Sequence, residues 1–120
     1  MDANAVSLTG ELAGTEPLRH TPAGLPLLAF RLSHKSQQIE AGYRRQVECE
    51  VSCIAMGDAA TRLAKLGTGA AVKVTGFLNR KNRMSAQLVL HATLTEILKE
   101  ADHGNDEQGR PGAGKGQSKA

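Results

Sequence analysis

Hydrophobic and polar positions alternate with a period of two over most of the first hundred residues. From residue 4 to 13, Val6, Leu8, Gly10 and Leu12 alternate with Ser7, Thr9 and Glu11. From about 26 to 35, Leu28, Phe30 and Leu32 alternate with Ala29, Arg31 and Ser33. From about 43 to 55, Val47, Cys49, Val51 and Cys53 alternate with Gln46, Glu48, Glu50 and Ser52. Residues 70–78 place Val72 and Val74 inward, and residues 85–98 place Leu88, Leu90 and Leu94 inward. Alternation of this kind marks strands with one buried face and one wet face, so five strands are expected. Val89 breaks the pattern in the last of them, which predicts cover on both faces there. Gly10 has buried parity and predicts a bend or bulge.

The connections are punctuated clearly. Gly14, Pro17, Pro22 and Gly24 mark residues 14–24 as a long loop, which carries Arg19 and His20. The segment SQQIEAG, closed by Gly42, reads as a polar connection of moderate length between the second and third strands. GDAATRLAKLG, residues 57–67, carries the one helical signal. Asp58 is its expected N-cap and Gly67 the residue past its end, with Ala59, Leu63 and Leu66 on one face. From Ala101 to Ala120 no aliphatic residue is larger than alanine, and the segment is rich in glycine. It cannot repay the entropy of ordering, so residues 101–120 are expected to be a disordered tail behind a domain of residues 1–100. The order is strand, strand, strand, helix, strand, strand. That is the all-β, five-stranded OB-fold Greek-key barrel, with one short helix between strands 3 and 4.

Composition adds little to this picture. The chain has 120 residues and a net charge of +3, with a pI near 9.1, a mild sign of an anionic partner. Cys49 and Cys53 lie four apart on one strand, about 13 Å, and cannot bridge each other. Both have the parity of small buried hydrophobes in a reducing compartment. No charged-then-apolar leader and no long apolar run is present, so a soluble, cytoplasmic protein is expected. The four histidines and two cysteines show no metal-ligand spacing, and no nucleophile or phosphate-loop motif occurs. No catalytic residue, metal or cofactor is expected, and the chain is read as a non-enzyme.

The cations carry more information than their number. OB-folds bind oligonucleotides on the face of strands 2 and 3, flanked by the loops between strands 1–2 and 4–5. Arg19 and His20 fall in the first loop. Arg31 and Lys35 fall on the outward side of the second strand. Arg44, with Arg45 beside it, begins the third. Arg80, Lys81 and Arg83 fill the loop between the fourth and fifth strands, with no acid among them. Each could neutralise a phosphate, making binding steeply salt-dependent. Glu48 and Glu50 oppose this on the same face. Stacking platforms for unpaired bases are scarce, because Phe30, Tyr43 and Phe77 are the only aromatics besides histidine and there is no tryptophan. Phe30 belongs to the core. Tyr43 is the candidate stacker. Phe77 has outward parity and is expected against a partner chain, and His91 is expected to be structural.

The segments PLRHTPAGLP, FRLSHKS, EAGYRRQVEC, VTGF and LVLHA, followed by Glu96 and Ile97, resemble the primosomal replication protein N (PriB) family over roughly residues 4–98. The resemblance implies a homodimer of one OB-fold per chain, similar to bacterial single-stranded DNA-binding proteins. It implies a part in restarting stalled forks, with single-stranded DNA, the PriA helicase and, in some bacteria, DnaT as partners. The family's first-loop basic position falls on His20, and the one after strand two falls on Lys35. Its outward stacking aromatic on strand three falls on Glu48, a departure in kind. Its lysine-rich loop falls on Arg80, Lys81 and Arg83, and a further basic position falls on Gln87. Phosphate contacts are therefore expected to remain and stacking to be lost, giving weak binding for the family. Two other readings stay open. One is a general single-stranded DNA-binding protein, although the tail has no acidic, hydrophobic tip. The other is a protein-interaction module with vestigial DNA binding, for which Glu48 and Glu50 speak.

Overall fold

The computed structural model describes residues 2–101. The strands are β1 (Val6–Thr15), β2 (Arg19–His20), β3 (Pro26–Glu40), β4 (Tyr43–Met56), β5 (Ala71–Arg80) and β6 (Leu88–Lys99). The single helix, α1 (Asp58–Ala64), lies between β4 and β5. The sheet order is β1-β5-β6-β4-β3-β2, and an added β1–β3 pairing closes the ring. This is the expected OB barrel. Arg19 and His20, expected in a loop, instead form the two-residue β2, which pairs with Leu27 and Pro26.

Closure depends on β1 changing partners. Val6 to Glu11 pair with β5, and Glu11 to Thr15 pair with β3. The bend expected at Gly10 is not there: pairing with β5 runs unbroken through Gly10, and the irregularity of β1 comes later, where its register with β3 shifts between Leu12 and Gly14. Inward residues from every long strand meet inside: Leu12, Leu28, Phe30, Leu32, Cys53, Val72, Val74 and Leu90 are all buried. The helix covers one end of the barrel with Ala60 and Leu63, while Ala59 and Leu66 are only half-buried. Asp58 is the first helical residue rather than the cap. Gly57 holds the cap position at φ 72°, with no side-chain cap hydrogen bond. Ala101, assigned to the tail by its composition, is half-buried against the core. The disorder expected for the rest of the tail concerns residues outside those described.

Two departures from the expected pattern matter for the surface. First, SQQIEAG is not a loop. The β3–β4 ladder continues from Leu27↔Met56 out to Glu40↔Tyr43. A two-residue turn at Ala41 (φ 52°) and Gly42 (φ 84°) closes it. Both residues have positive φ, as the tight hairpin turn that matches strand twist requires. Polar residues hid this strand because both faces of the arm are wet, leaving no alternation to read. Second, β6 carries a bulge: Thr75 faces Leu94 while Gly76 faces Ala92, so Thr93 is the extra residue. A bulge reverses parity beyond it. Leu90 and Ala92 are inward, whereas Leu94, expected inward, is exposed beyond the bulge; Leu88, also expected inward, keeps the parity of Leu90 but is exposed as the first residue of the strand.

His34 and the cysteines show how local parity translates into chemistry. His34 is 8 % exposed. Its Nδ1–H donates to the Thr9 carbonyl (2.6 Å), so Nε2 accepts from the Ser36 hydroxyl (2.8 Å). The ring ties β1 to the base of the arm. Cys49, expected to be buried, is exposed because the arm extends beyond the barrel, and Cys53 is buried. Burial pushes the Cys53 thiol up to about 12. A raised thiol pKa adds stability that is fully present below the unfolded value and is lost as pH rises towards the folded one. In native protein at pH 8, an aromatic disulfide reagent should titrate one thiol quickly and the second only on unfolding. A Cys49→Ser variant should abolish the fast phase; two fast thiols in the parent would contradict this placement of the strands.

No helix among the described residues is long and apolar enough to cross a membrane.

Candidate nucleic-acid interface

The outer face of the sheet has two chemically different halves. Towards the arm it is a ladder of ion pairs. Arg31 Nε lies 3.1 Å from a Glu50 carboxylate oxygen, and Lys35 Nζ lies 3.5 Å from one of Glu48. Lys35 and Glu48 are directly opposite each other, and Arg31 and Glu50 are diagonal neighbours, because Glu50 faces Ser33. Such exposed pairs contribute little to stability, about 0–1 kcal/mol. Their effect on ligand binding is larger, because a phosphate would have to displace a carboxylate already in place. Arg44 and Arg45, expected side by side, sit on opposite faces of β4. Arg45 is held by Glu40 at 3.2 Å. Tyr43 is 71 % exposed near the arm tip, on the Arg45 face rather than among the outer-face cations.

The other half of the face is a cleft of ≈ 420 Å³ between the first loop and the β5–β6 loop. Arg19 and Lys81 both line it, together with Glu16, Asn82 and Gln87, so two cations share it with one carboxylate. Its floor carries Ala29, Ile54, Val89 and His91. A second cleft of ≈ 270 Å³ shares Lys81, Asn82 and His91 with the first and is also lined by Arg80 and Arg83. Two of the three expected stretches thus converge on one concave surface, while the strand cations Arg31 and Lys35 are engaged nearby. His20 is exposed on β2 and does not line either cleft.

The β5–β6 loop is held in shape by its own polar groups. Lys81 N–H donates to the Gln87 carbonyl (2.8 Å), closing the loop. Met84 N–H donates to the Asn82 side chain (2.9 Å), and Gln87 N–H donates to the Ser85 hydroxyl (3.0 Å). Among the described residues, Arg19, Arg44, Arg80, Lys81 and Arg83 have no carboxylate partner within ion-pair distance. A preformed loop with unpaired cations loses little entropy when an anion arrives.

Sequence reasoning missed the aromatic content of this surface. Phe77 and His91 are directly paired across β5 and β6. Their rings stack, with centroids 4.8 Å apart and planes at 10°. The stacking partner of Phe77 is therefore this same-chain histidine, and His91 is an outward, half-exposed ring. The signal was available in principle: both residues had outward parity, but only the strand register shows that they are opposite one another. No group of three or more His, Cys, Asp or Glu side chains among the described residues is placed to hold a metal ion.

A closed barrel of this topology, with a concave outer face between these two loops, is an OB-fold. The model of a family described as "another single-strand binding protein family" matches residues 4–94. Replication restart protein PriB of Nitrosomonas europaea is 42% identical over 98 residues, covering 82% of this chain and 91% of that one. The PriB of Bordetella pertussis is 40% identical over 88 residues, covering 73% and 82%. The crystal structure of PriB from Ralstonia solanacearum superposes with a TM-score of 0.74 at 33% identity, covering 81% of this chain and 99% of that one. The single-stranded DNA-binding protein of Thermus aquaticus reaches a TM-score of 0.65 at 25% identity, covering 81% and 50%. The chain belongs to the PriB family of replication restart proteins.

Proposed function

We propose that this protein binds single-stranded DNA as an accessory factor of replication restart, and that it associates with and stimulates a PriA-type helicase. The observation that carries the reading is the shared cleft. Arg19 from one loop and Lys81 from another line an apolar-floored groove on the outer sheet face. Unpaired cations at the rim suit a phosphate backbone, and a concave apolar floor suits bases. The protein acts by holding DNA and recruiting a partner, with no chemistry of its own. It works in the cytoplasm, with DnaT as a further partner of the assembly.

A homodimer fits the same reading. Val6 to Gly10 pair with β5 on one side, and the β3 pairing begins only at Glu11. The other edge of that segment is open for strand addition by a second copy.

Affinity is expected to be weak for the family, because Glu50 and Glu48 already occupy Arg31 and Lys35. Those same ion pairs favour a second reading, in which helicase contact matters more than DNA contact. A fluorescence titration with a labelled oligothymidylate at low and high salt, run beside a PriA pull-down with and without DNA, separates the two. The expected outcome is micromolar-range binding that falls steeply with salt, and DNA-enhanced capture of PriA. Capture of PriA with no DNA binding at low salt would select the second reading. Loss of both would remove the proposal.

A further inference from the structure

Residues on the outer face line up across four strands. Ala29 of β3 faces Ile54 of β4, Ile54 faces His91 of β6, and His91 faces Phe77 of β5. The row runs along the floor of the Arg19–Lys81 cleft and ends in the stacked pair. The rings are nearly parallel, at 10°. Phe77 therefore covers only one face of the imidazole. His91 lines both clefts, so its remaining surface is open to each.

The contrast with His34 shows that His91 is not built as a structural histidine. His34 is buried and has both ring nitrogens hydrogen-bonded. Among the described residues the His91 ring makes no hydrogen bond, and its one specific contact is aromatic. A flat, half-exposed ring backed by a second ring, beside Ile54 and Val89 and below two amide side chains, is chemically suited to an aromatic heterocycle. Stacking needs a π-face on each partner, and Asn82 and Gln87 can meet the polar edge of a base.

We propose that His91, backed by Phe77, is a stacking platform for one nucleobase of bound single-stranded DNA, with Arg19 and Lys81 taking the adjoining phosphates. The platform replaces, at a different place on the sheet, the stacking that Glu48 cannot supply. It rests on the reading of the cleft as a DNA path and adds to it where a base sits. Every base has a π-face, so the platform confers affinity without sequence preference.

The test compares two fluorescein-labelled oligonucleotides with equal numbers of phosphates, an oligothymidylate and its abasic counterpart. The full-length protein should bind the base-bearing strand about 5- to 10-fold more tightly, at the lower end of the range for one stacked base. That ratio should persist as salt is raised, because both strands lose the same phosphate contacts. His91→Ala should bring the ratio towards unity by weakening the base-bearing strand more than the abasic one. His91→Phe should restore it, which a charge effect would not do. A ratio near unity in the parent, or an elevated one that survives His91→Ala, overturns the platform while phosphate binding stands. Failure of both oligonucleotides to bind removes the DNA reading and the platform together. If His91→Ala instead changes the sedimentation of the protein and leaves the ratio alone, the pair is a contact between copies and the platform is wrong.

Discussion

Replacing Arg80, Lys81 and Arg83 together by alanine should weaken single-stranded DNA binding by about 100-fold near 0.1 M salt. The magnitude follows from counterion release. Each phosphate contact to a single strand contributes a slope of about −0.7 in log K against log salt. Three lost contacts remove about two units of slope, which is about two orders of magnitude over the decade below 1 M. These three cations are on one loop that closes on itself through Lys81 and Gln87, so alanine should leave that backbone in place. The measurement is a salt series for parent and variant. The lines should converge at high salt. A parallel offset, or no change, would place the phosphates elsewhere. Arg31→Ala should do much less, because Arg31 is already bound to Glu50.

Gly76→Val should cost about 3–4 kcal/mol and lower the melting temperature by roughly 15–25 °C for a domain of this size. A Cβ at Gly76 would fall on the His91 carbonyl oxygen and crowd the Thr93 backbone. The obstacle is backbone, which cannot rotate away as a side chain could. This is the place where β6 bulges past β5. The two strands approach closely there, and that approach sets the Phe77–His91 register one residue along. Gly24→Ala is the useful comparison. Gly24 has φ 90° but nothing within 4 Å of an added Cβ. It should therefore cost only the conformational strain, about 1–2 kcal/mol. Thermal denaturation of both variants checks the difference; equal losses would mean that β5 and β6 are not in this register.

The barrel was legible wherever one face of a strand is dry. Leu28, Phe30 and Leu32 against Arg31, or Val72 and Val74 against Lys73, state their own parity, and the structure keeps it. The arm was not legible, because residues 36–46 are wet on both sides and a two-sided polar strand has the composition of a loop. Leu94 misled for a different reason. A bulge depends on the neighbour's backbone, and nothing in the sequence of β6 alone announces that Thr93 is the extra residue. The cations of the surface could be found from type and position, but not their occupancy. Only the cross-strand register shows that Arg31 and Lys35 are tied to Glu50 and Glu48, that Arg45 has turned to Glu40, and that Arg19 and Lys81 share a cleft.

These placements move the expected DNA path. The long hairpin supplies the wall of the barrel and a surface of paired charges. The cleft bounded by Arg19, Lys81 and His91 supplies unpaired cations over an apolar floor. A crystal structure of the protein with a short oligothymidylate tests this most directly. The account predicts phosphates against Arg19 and the Arg80–Arg83 loop, with a base in the cleft beside His91. A strand lying instead along the Glu48–Glu50 ladder, with the cleft empty, would contradict it.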